Sequence, residues 1–375
     1  MSTNTTQHIE IKGTVAPGFE PVQQLFESQM RTLAERSAQL CVYHRGEAVV
    51  DLWASVENDI SFSSDSLINV FSSGKSLEAI AMAWLVGKGL LSYDSEITRY
   101  WPEFGAQGKD KLTVADLMRH EAGLASFDTS IDMEDLFTKQ IKQNAVGQII
   151  EGHALAYTSS NGGKREYHAL TRGWIANEVF RRVDPAGRTI GEFLREEISG
   201  PLGADVTIGV NEDERVRMSK VHDLGFGRQL WLSMRPKFMG RRIVHNIFQI
   251  LVRLVRIVPS MAKSRKAGAP PPLVGMKNLE IFNEPNFAKG ETPSANATCS
   301  ALGLGRVAAM MAARGSLAGR EYLSESAWKA MHEHPLKANM GGMLITRFTQ
   351  GGVDCFTPTD AQSTQAERDF NEGRE

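Results

Sequence analysis

The chain of 375 residues is 42% hydrophobic and 23% charged, and its 42 Lys and Arg against 44 Asp and Glu leave a formal net charge of −2. That length and apolar content suffice for one large buried core. The charge balance excludes a globally basic nucleic-acid binder, which needs an excess of cations to displace counterions from phosphate.

Residues 1–12 are polar and contain no apolar run, so no signal peptide is expected and the predicted location is cytoplasmic. Over residues 17–36, Val22, Leu25, Phe26, Met30 and Leu33 share one helical face. Two apolar runs, 38–43 and 48–53, flank His44-Arg45-Gly46-Glu47 and predict an antiparallel hairpin. Beyond a polar loop, Val70-Phe71-Ser72-Ser73-Gly74-Lys75-Ser76 leads into a helix. There Leu77, Ile80, Ala81, Trp84 and Leu85 recur at helical spacing, and Gly87 and Gly89 end the run. Residues 93–104, with Trp101-Pro102, read as loop. Thr113 and Asp116 form a near capping box for a short helix to His120. One helix is expected over 132–151, a second opening at Tyr167 and running to Phe180, and a third over 190–198 that stops at Gly200-Pro201-Leu202-Gly203. In the last third, 302–313 and 324–331 predict helices, 343–348 a strand, and 350–353 a turn into a further strand.

Residues 225–273 differ in character. Arg228, Arg235, Lys237, Arg241, Arg242, Arg253, Arg256, Lys263, Arg265 and Lys266 have no acidic residue among them, and aliphatic residues run between them. The stretch is too interrupted by charge to span a bilayer. It fits either a lid helix over a cleft with its cations solvated, or, over 241–266, a helix resting weakly on an anionic membrane surface.

Ser72 and Lys75 are three apart, hence one turn apart on the same helical face. At a helix N-terminus, unpaired N–H groups favour a developing negative charge. A hydroxyl beside an amine in that setting suits serine acyl transfer. Ser-x-x-Lys also occurs at Ser260 with Lys263 and at Ser326 with Lys329. Only the first copy opens a core helix. Cys41, Cys299 and Cys355 are widely spaced and odd in number, and the nine histidines show no metal-ligand clustering, so neither a disulfide framework nor a metal or other cofactor is expected.

Five motifs in order carry a resemblance: Asp51-Leu52-Trp53, Phe71-Ser72-Ser73-Gly74-Lys75, Leu117 to Leu124 (LMRHEAGL), Tyr167 to Trp174 (YHALTRGW), and Glu196 to Gly203 (EEISGPLG). In that arrangement the chain resembles the serine beta-lactamase-related family, which includes class C beta-lactamases, DD-peptidases and family VIII carboxylesterases, and is most similar to the esterase-like branch. The resemblance covers residues 10–210 clearly and 290–356 weakly.

It implies an α+β fold, an antiparallel sheet flanked by helices with a mostly helical part inserted. Here that is a single domain over 1–375: sheet parts at 10–75 and 290–356, a helical part at 76–210, and the basic insert at 211–290. It also implies Ser72 as nucleophile, Lys75 as its neighbouring amine, and Tyr167 as the residue relaying protons to and from Ser72 and the leaving group. Which of Lys75 and Tyr167 takes the first proton stays open.

Two departures shape the expected activity. Ala169 stands where the beta-lactamase branch has the Asn of Tyr-x-Asn, which points away from beta-lactam or peptide turnover and towards small esters. The family's third motif, a late Lys-Thr-Gly strand or its His/Gly variants, is expected after the point where this chain stops, so C-terminal strands are expected to be missing. That leaves one oxyanion donor at the Ser72 amide, and losing one such donor typically lowers the rate about 100- to 1000-fold. The sequence thus predicts a serine hydrolase cleaving small esters or related acyl compounds through an acyl-enzyme on Ser72, impaired by truncation. The competing reading is a non-catalytic scaffold or partner-binding protein of the same fold.

Overall fold

The computed structural model describes residues 9–56, 59, 61–157, 165–236, 243–252, 270–340 and 344–355. The fold is α+β, as the motif order implies. A three-stranded antiparallel sheet has the order β1-β3-β2, from β1 (Lys12–Val15), β2 (Ser37–His44) and β3 (Glu47–Ser55). The predicted hairpin is β2–β3, turning at Arg45-Gly46, where both residues take positive φ. Val50, Leu52 and Ala54 alternate along β3 and bury one face. Helix α1 (Glu20–Thr32) covers that face with Phe26 and Met30, closing a small core of its own.

A second, larger core is built around two helices, α2 (Gly74–Gly87) and α6 (Thr171–Val183). Both are buried nearly all round, polar positions included. A helix of that kind must find partners for its polar side chains inside the protein. Leading into α2, the short strand β4 (Ile68–Asn69) pairs with β6 (Thr298–Cys299), which pairs in turn with β5 (Val206–Thr207). Two glycines let backbones meet here. A Cβ at Gly74 would lie 2.6 Å from the Pro293 carbonyl oxygen, and one at Gly173 would lie 2.4 Å from the Ser294 nitrogen. The segment 291–298 is thereby wedged against the starts of both central helices.

The short helix α3 (Val114–Met118) opens on a full capping box between Thr113 and Asp116. It closes on a Schellman pattern: the Glu121 N–H reaches the Asp116 carbonyl at 2.8 Å and the His120 N–H reaches Leu117 at 3.1 Å. The position that normally takes glycine is His120, at φ 65°.

Several expected elements are cut differently. The helix over 132–151 is a 3-10 turn (Met133–Leu136), then α4 (Thr138–Lys142) and α5 (Ala145–Gly152), broken where Asn144 takes φ 69°. Asn tolerates that left-handed conformation, so the break leaves no mark on the apolar period. Residues 93–104 contain two 3-10 turns, at Ile97–Arg99 and from Pro102. The helix over 190–198 is α7 (Ile190–Phe193) followed by a π segment (Leu194–Ser199), with the Gly200 N–H reaching back to Arg195. Pro201 follows directly, and its ring excludes a regular turn at that point. Helix α8 (Phe226–Met234) and a turn of helix from 247 to 252 lie in the basic region. Of the 241–266 stretch, which fits a lid helix or a membrane-surface helix, 241–242 and 253–266 lie outside the described residues.

Near the C-terminal end come α9 (Ala301–Ala312), α10 (Glu325–His332) and an antiparallel hairpin of β9 (Leu336–Met340) and β10 (Leu344–Phe348), preceded by the small hairpin β7 (Ser316–Leu317) and β8 (Arg320–Glu321). Ser326 opens α10 and Lys329 pairs with Glu325 at 3.0 Å, an exposed ordinary helix pair, as context suggested for that copy of the motif.

Candidate active site

Ser72 sits in a strand–turn–helix junction. After β4, Phe71–Ser73 make one 3-10 turn and α2 begins at Gly74. Phe71 has φ 47°, a conformation rare for an aromatic residue. It is held there by its own N–H, which donates to the buried Asn69 side-chain oxygen at 2.8 Å, and by its ring, which packs edge-on against Phe282. Residues fixed in sparsely populated backbone regions collect at functional sites. The effect is to present Ser72 outward at the tip of a buried helix.

The three residues named from the sequence meet at this tip. The Tyr167 phenol donates to Ser72 Oγ at 2.7 Å, and Lys75 Nζ donates to the same oxygen at 3.5 Å. The ammonium nitrogen also lies 4.8 Å from the centroid of the Tyr167 ring. Lys75 is buried, and its remaining two bonds go to the carbonyls of Ala169 at 2.8 Å and Ser294 at 2.9 Å. Burial pulls the Lys75 pKa down to about 7; the Arg172 cation adds to this and the Glu78 carboxylate opposes it. The amine therefore changes charge near neutral pH. Ala169 serves Lys75 through its backbone oxygen, so the replacement of Asn at this position leaves the lysine contact in place.

One correction concerns Tyr167. It does not open α6 but precedes it, in an extended segment that runs beside residues 120–124. The Glu166 N–H reaches the His120 carbonyl at 3.1 Å, and the His168 N–H reaches His120 Nδ1 at 3.0 Å. His168 locks the same segment from inside. Its Nδ1–H donates to the Glu166 carbonyl at 2.6 Å, leaving Nε2 to accept the Leu124 N–H at 3.0 Å. Full burial lowers its pKa to about 4, so it stays neutral in that tautomer at physiological pH. His120 is also buried, and burial first, then neighbouring cations, depress its pKa well below the usual value. The His120 ring lies 4.9 Å from the Tyr167 ring and 5.5 Å from Phe348. This gives a physical reason for a histidine in a left-handed position: a glycine there would relax the backbone but remove the ring that backs Tyr167.

Arg165 anchors the other end of the segment. It is fully buried and bonds Glu121 at 2.5 Å, Thr346 Oγ1 at 2.8 Å and the Leu336 carbonyl at 3.2 Å. Tyr167 is thereby tied to the β9–β10 hairpin.

Behind Lys75 lies a second buried pair. Glu78, one turn further along α2, accepts from Arg172 Nε at 2.7 Å and from Ser294 Oγ at 2.6 Å. Arg172 also donates to the Met118 carbonyl at 3.0 Å and the Lys75 carbonyl at 3.3 Å. The segment carrying Ser294 begins at Glu291, a buried carboxylate met by Thr138, Thr189, Asn177 and the Gly191 N–H, all within 3.1 Å. The sequence alone assigns no role to Glu78, Ser294, Arg172, His120 or His168, although the last three stand within its motifs. The available signal was Glu78 itself: a charge inside an otherwise apolar helix face demands a buried partner.

Glu78→Gln should therefore destabilise the fold by about 3–5 kcal/mol, since it leaves the Arg172 cation buried without its counter-charge. Urea unfolding measures this. Because Glu78 holds the Lys75 pKa up, the same variant should also move any Lys75-dependent rate limb to lower pH. Among the described residues no group of His, Cys, Asp and Glu could hold a metal ion.

The Beta-lactamase family model matches residues 22–352. The esterase/beta-lactamase LipL of Mycobacterium tuberculosis is 34% identical over 196 residues, 52% of this chain and 43% of that protein, so the match spans less than half the length of this curated relative. Among solved structures, a penicillin-binding protein homologue from Caulobacter crescentus superposes with a TM-score of 0.69 at 27% identity, covering 96% of this chain and 86% of its own. A family VIII carboxylesterase gives a TM-score of 0.68 at 26% identity, covering 91% of this chain and 82% of its own.

Proposed function

The chain belongs to the beta-lactamase family, and from that premise we propose that it is a serine hydrolase that cleaves small esters through an acyl-enzyme on Ser72. The observation that carries this is the 2.7 Å bond between the Tyr167 phenol and Ser72 Oγ, made beside a lysine whose pKa is about 7.

The steps follow from those positions. With Lys75 deprotonated, the Lys75–Tyr167 pair has room for one proton. Ser72 Oγ attacks the ester carbonyl carbon while its proton passes to the pair through the phenol oxygen, the nearer of the two partners. The developing oxyanion is met by the Ser72 backbone N–H, the one donor that the resemblance implies here, just ahead of α2. As the tetrahedral intermediate collapses, the proton returns from Tyr167 to the departing alkoxide, and the acyl group stays on Ser72. Water then attacks the acyl carbon and gives its proton to the same pair; as the bond from the acyl carbon to Ser72 Oγ breaks, the pair returns that proton to Oγ, and the acid is released. The names of two relatives, an esterase/beta-lactamase and a carboxylesterase, support an ester as substrate. Ala169 supports it too, since it offers no side-chain amide to grip a beta-lactam or peptide.

The expected pH dependence has a definite sign. Lys75 must be neutral for the pair to accept a proton, so acylation should rise with pH through about 7 and level off above it. Stopped-flow release of p-nitrophenol from p-nitrophenyl acetate measures the acylation burst directly. A burst rate that does not change across neutral pH, or the absence of any burst, would contradict the proposal.

A further inference from the structure

Among the described residues, the basic region presents an exposed apolar surface. Of the thirteen large hydrophobic residues exposed among the described residues, seven fall between 226 and 252: Phe226, Trp231, Met234, Val244, Phe248, Leu251 and Val252. Phe248 is 74% exposed and Trp231 is 49% exposed. The helical turn from 247 is properly started: Asn246 accepts the Gln249 N–H at 2.9 Å, and Gln249 Oε1 accepts the Asn246 N–H at 2.9 Å. Phe248, Leu251 and Val252 then sit at i, i+3 and i+4, one stripe of that helix. On a surface helix this stripe ordinarily faces the core, whereas here it faces out. In α8 only Leu232 and Ser233 are buried, and Arg235 stacks on the Trp231 ring at 3.9 Å from its centroid.

Charge selects the occupant. From residue 224 to residue 276 the chain has ten Lys and Arg and no Asp or Glu. Exposed Trp and Phe on the same stretch as the exposed Arg228 and Arg235, in a sequence without acidic residues, is the composition that partitions into the headgroup layer of an anionic bilayer, the rings entering the interface and the cations meeting lipid phosphates and carboxylates. No helix among the described residues is long and apolar enough to cross a membrane; the mode proposed is peripheral.

We propose that α8 and the 243–252 segment form a docking surface for an anionic lipid membrane. This does not depend on the hydrolase reading, because none of these residues belongs to the Ser72 site.

The test is co-sedimentation of the full chain with vesicles of phosphatidylcholine containing phosphatidylserine, beside vesicles of phosphatidylcholine alone. Binding is expected to the first at low salt, to weaken as salt rises, and to be roughly tenfold or more weaker to the second. The double variants Trp231→Ser with Phe248→Ser, and Arg228→Glu with Arg235→Glu, should each lower it about tenfold or more. All four side chains are exposed, so circular dichroism and the acylation burst should be unchanged. No binding to phosphatidylserine vesicles overturns the proposal, as does binding that either pair of substitutions leaves intact. So does self-association of the lipid-free chain that the Trp231/Phe248 pair abolishes while vesicle binding persists unchanged, which would assign the face to a second copy.

Discussion

Ser72→Ala is expected to lower ester turnover by roughly 10⁴-fold or more while leaving the fold intact, because in the proposed mechanism Ser72 is the nucleophile and its removal eliminates the covalent route altogether. The structural cost is small. Ser72 is exposed, so no cavity forms. Its two neighbours keep other support: Lys75 retains the Ala169 and Ser294 carbonyls, and the Tyr167 phenol is open to water. Thermal unfolding should therefore overlay that of the unmodified chain, while burst kinetics with p-nitrophenyl acetate should lose both burst and steady state. Hydrolysis persisting in this variant would mean that the chemistry lies elsewhere.

Tyr167→Phe isolates the proton path. The ring contacts with His120 and with the Lys75 ammonium depend on the aromatic face and should survive the change. Only the phenol oxygen disappears, and with it the group at 2.7 Å from the nucleophile. Loss of a positioned general acid–base typically lowers the rate about 10²- to 10⁴-fold. The loss should appear equally in kcat and kcat/KM, since in the proposed mechanism the phenol acts in the transition state and not in holding the ground-state substrate. If KM rose and kcat stayed, Tyr167 would be a substrate contact and Lys75 alone would serve Ser72.

The sequence made one part of this site plain for a simple geometric reason. Ser72 and Lys75 are neighbours on one helix, and the apolar period that follows them marks that helix as core. Tyr167 was visible only through the order of motifs that resembles the family. Its own surroundings suggested the first turn of α6, whereas it stands in the extended segment before that helix, held by His120, His168 and Arg165. Those three act across distances of some 40 to 180 residues in the chain, and no local pattern encodes such pairings. Ser294 is the extreme case: its carbonyl reaches Lys75 because Gly74 and Gly173 let the 291–298 backbone press against two helices. The β2–β3 hairpin followed from two apolar runs around a Gly turn and the α+β class from the motif order that resembles the family, and the structure bears out both. The breaks at Asn144 and before Pro201 followed from neither, because backbone conformation can change there without disturbing the apolar period.

The central claim is that Ser72 is an alcohol made reactive by Lys75 and Tyr167. Its most direct test is peptide-resolved mass spectrometry after brief exposure of the folded chain to a fluorophosphonate. The account predicts one adduct, on the peptide carrying Ser72, formed faster as pH rises through about 7 and abolished in Ser72→Ala. An unlabelled Ser72 in a folded chain, or labelling spread over other serines, would contradict it.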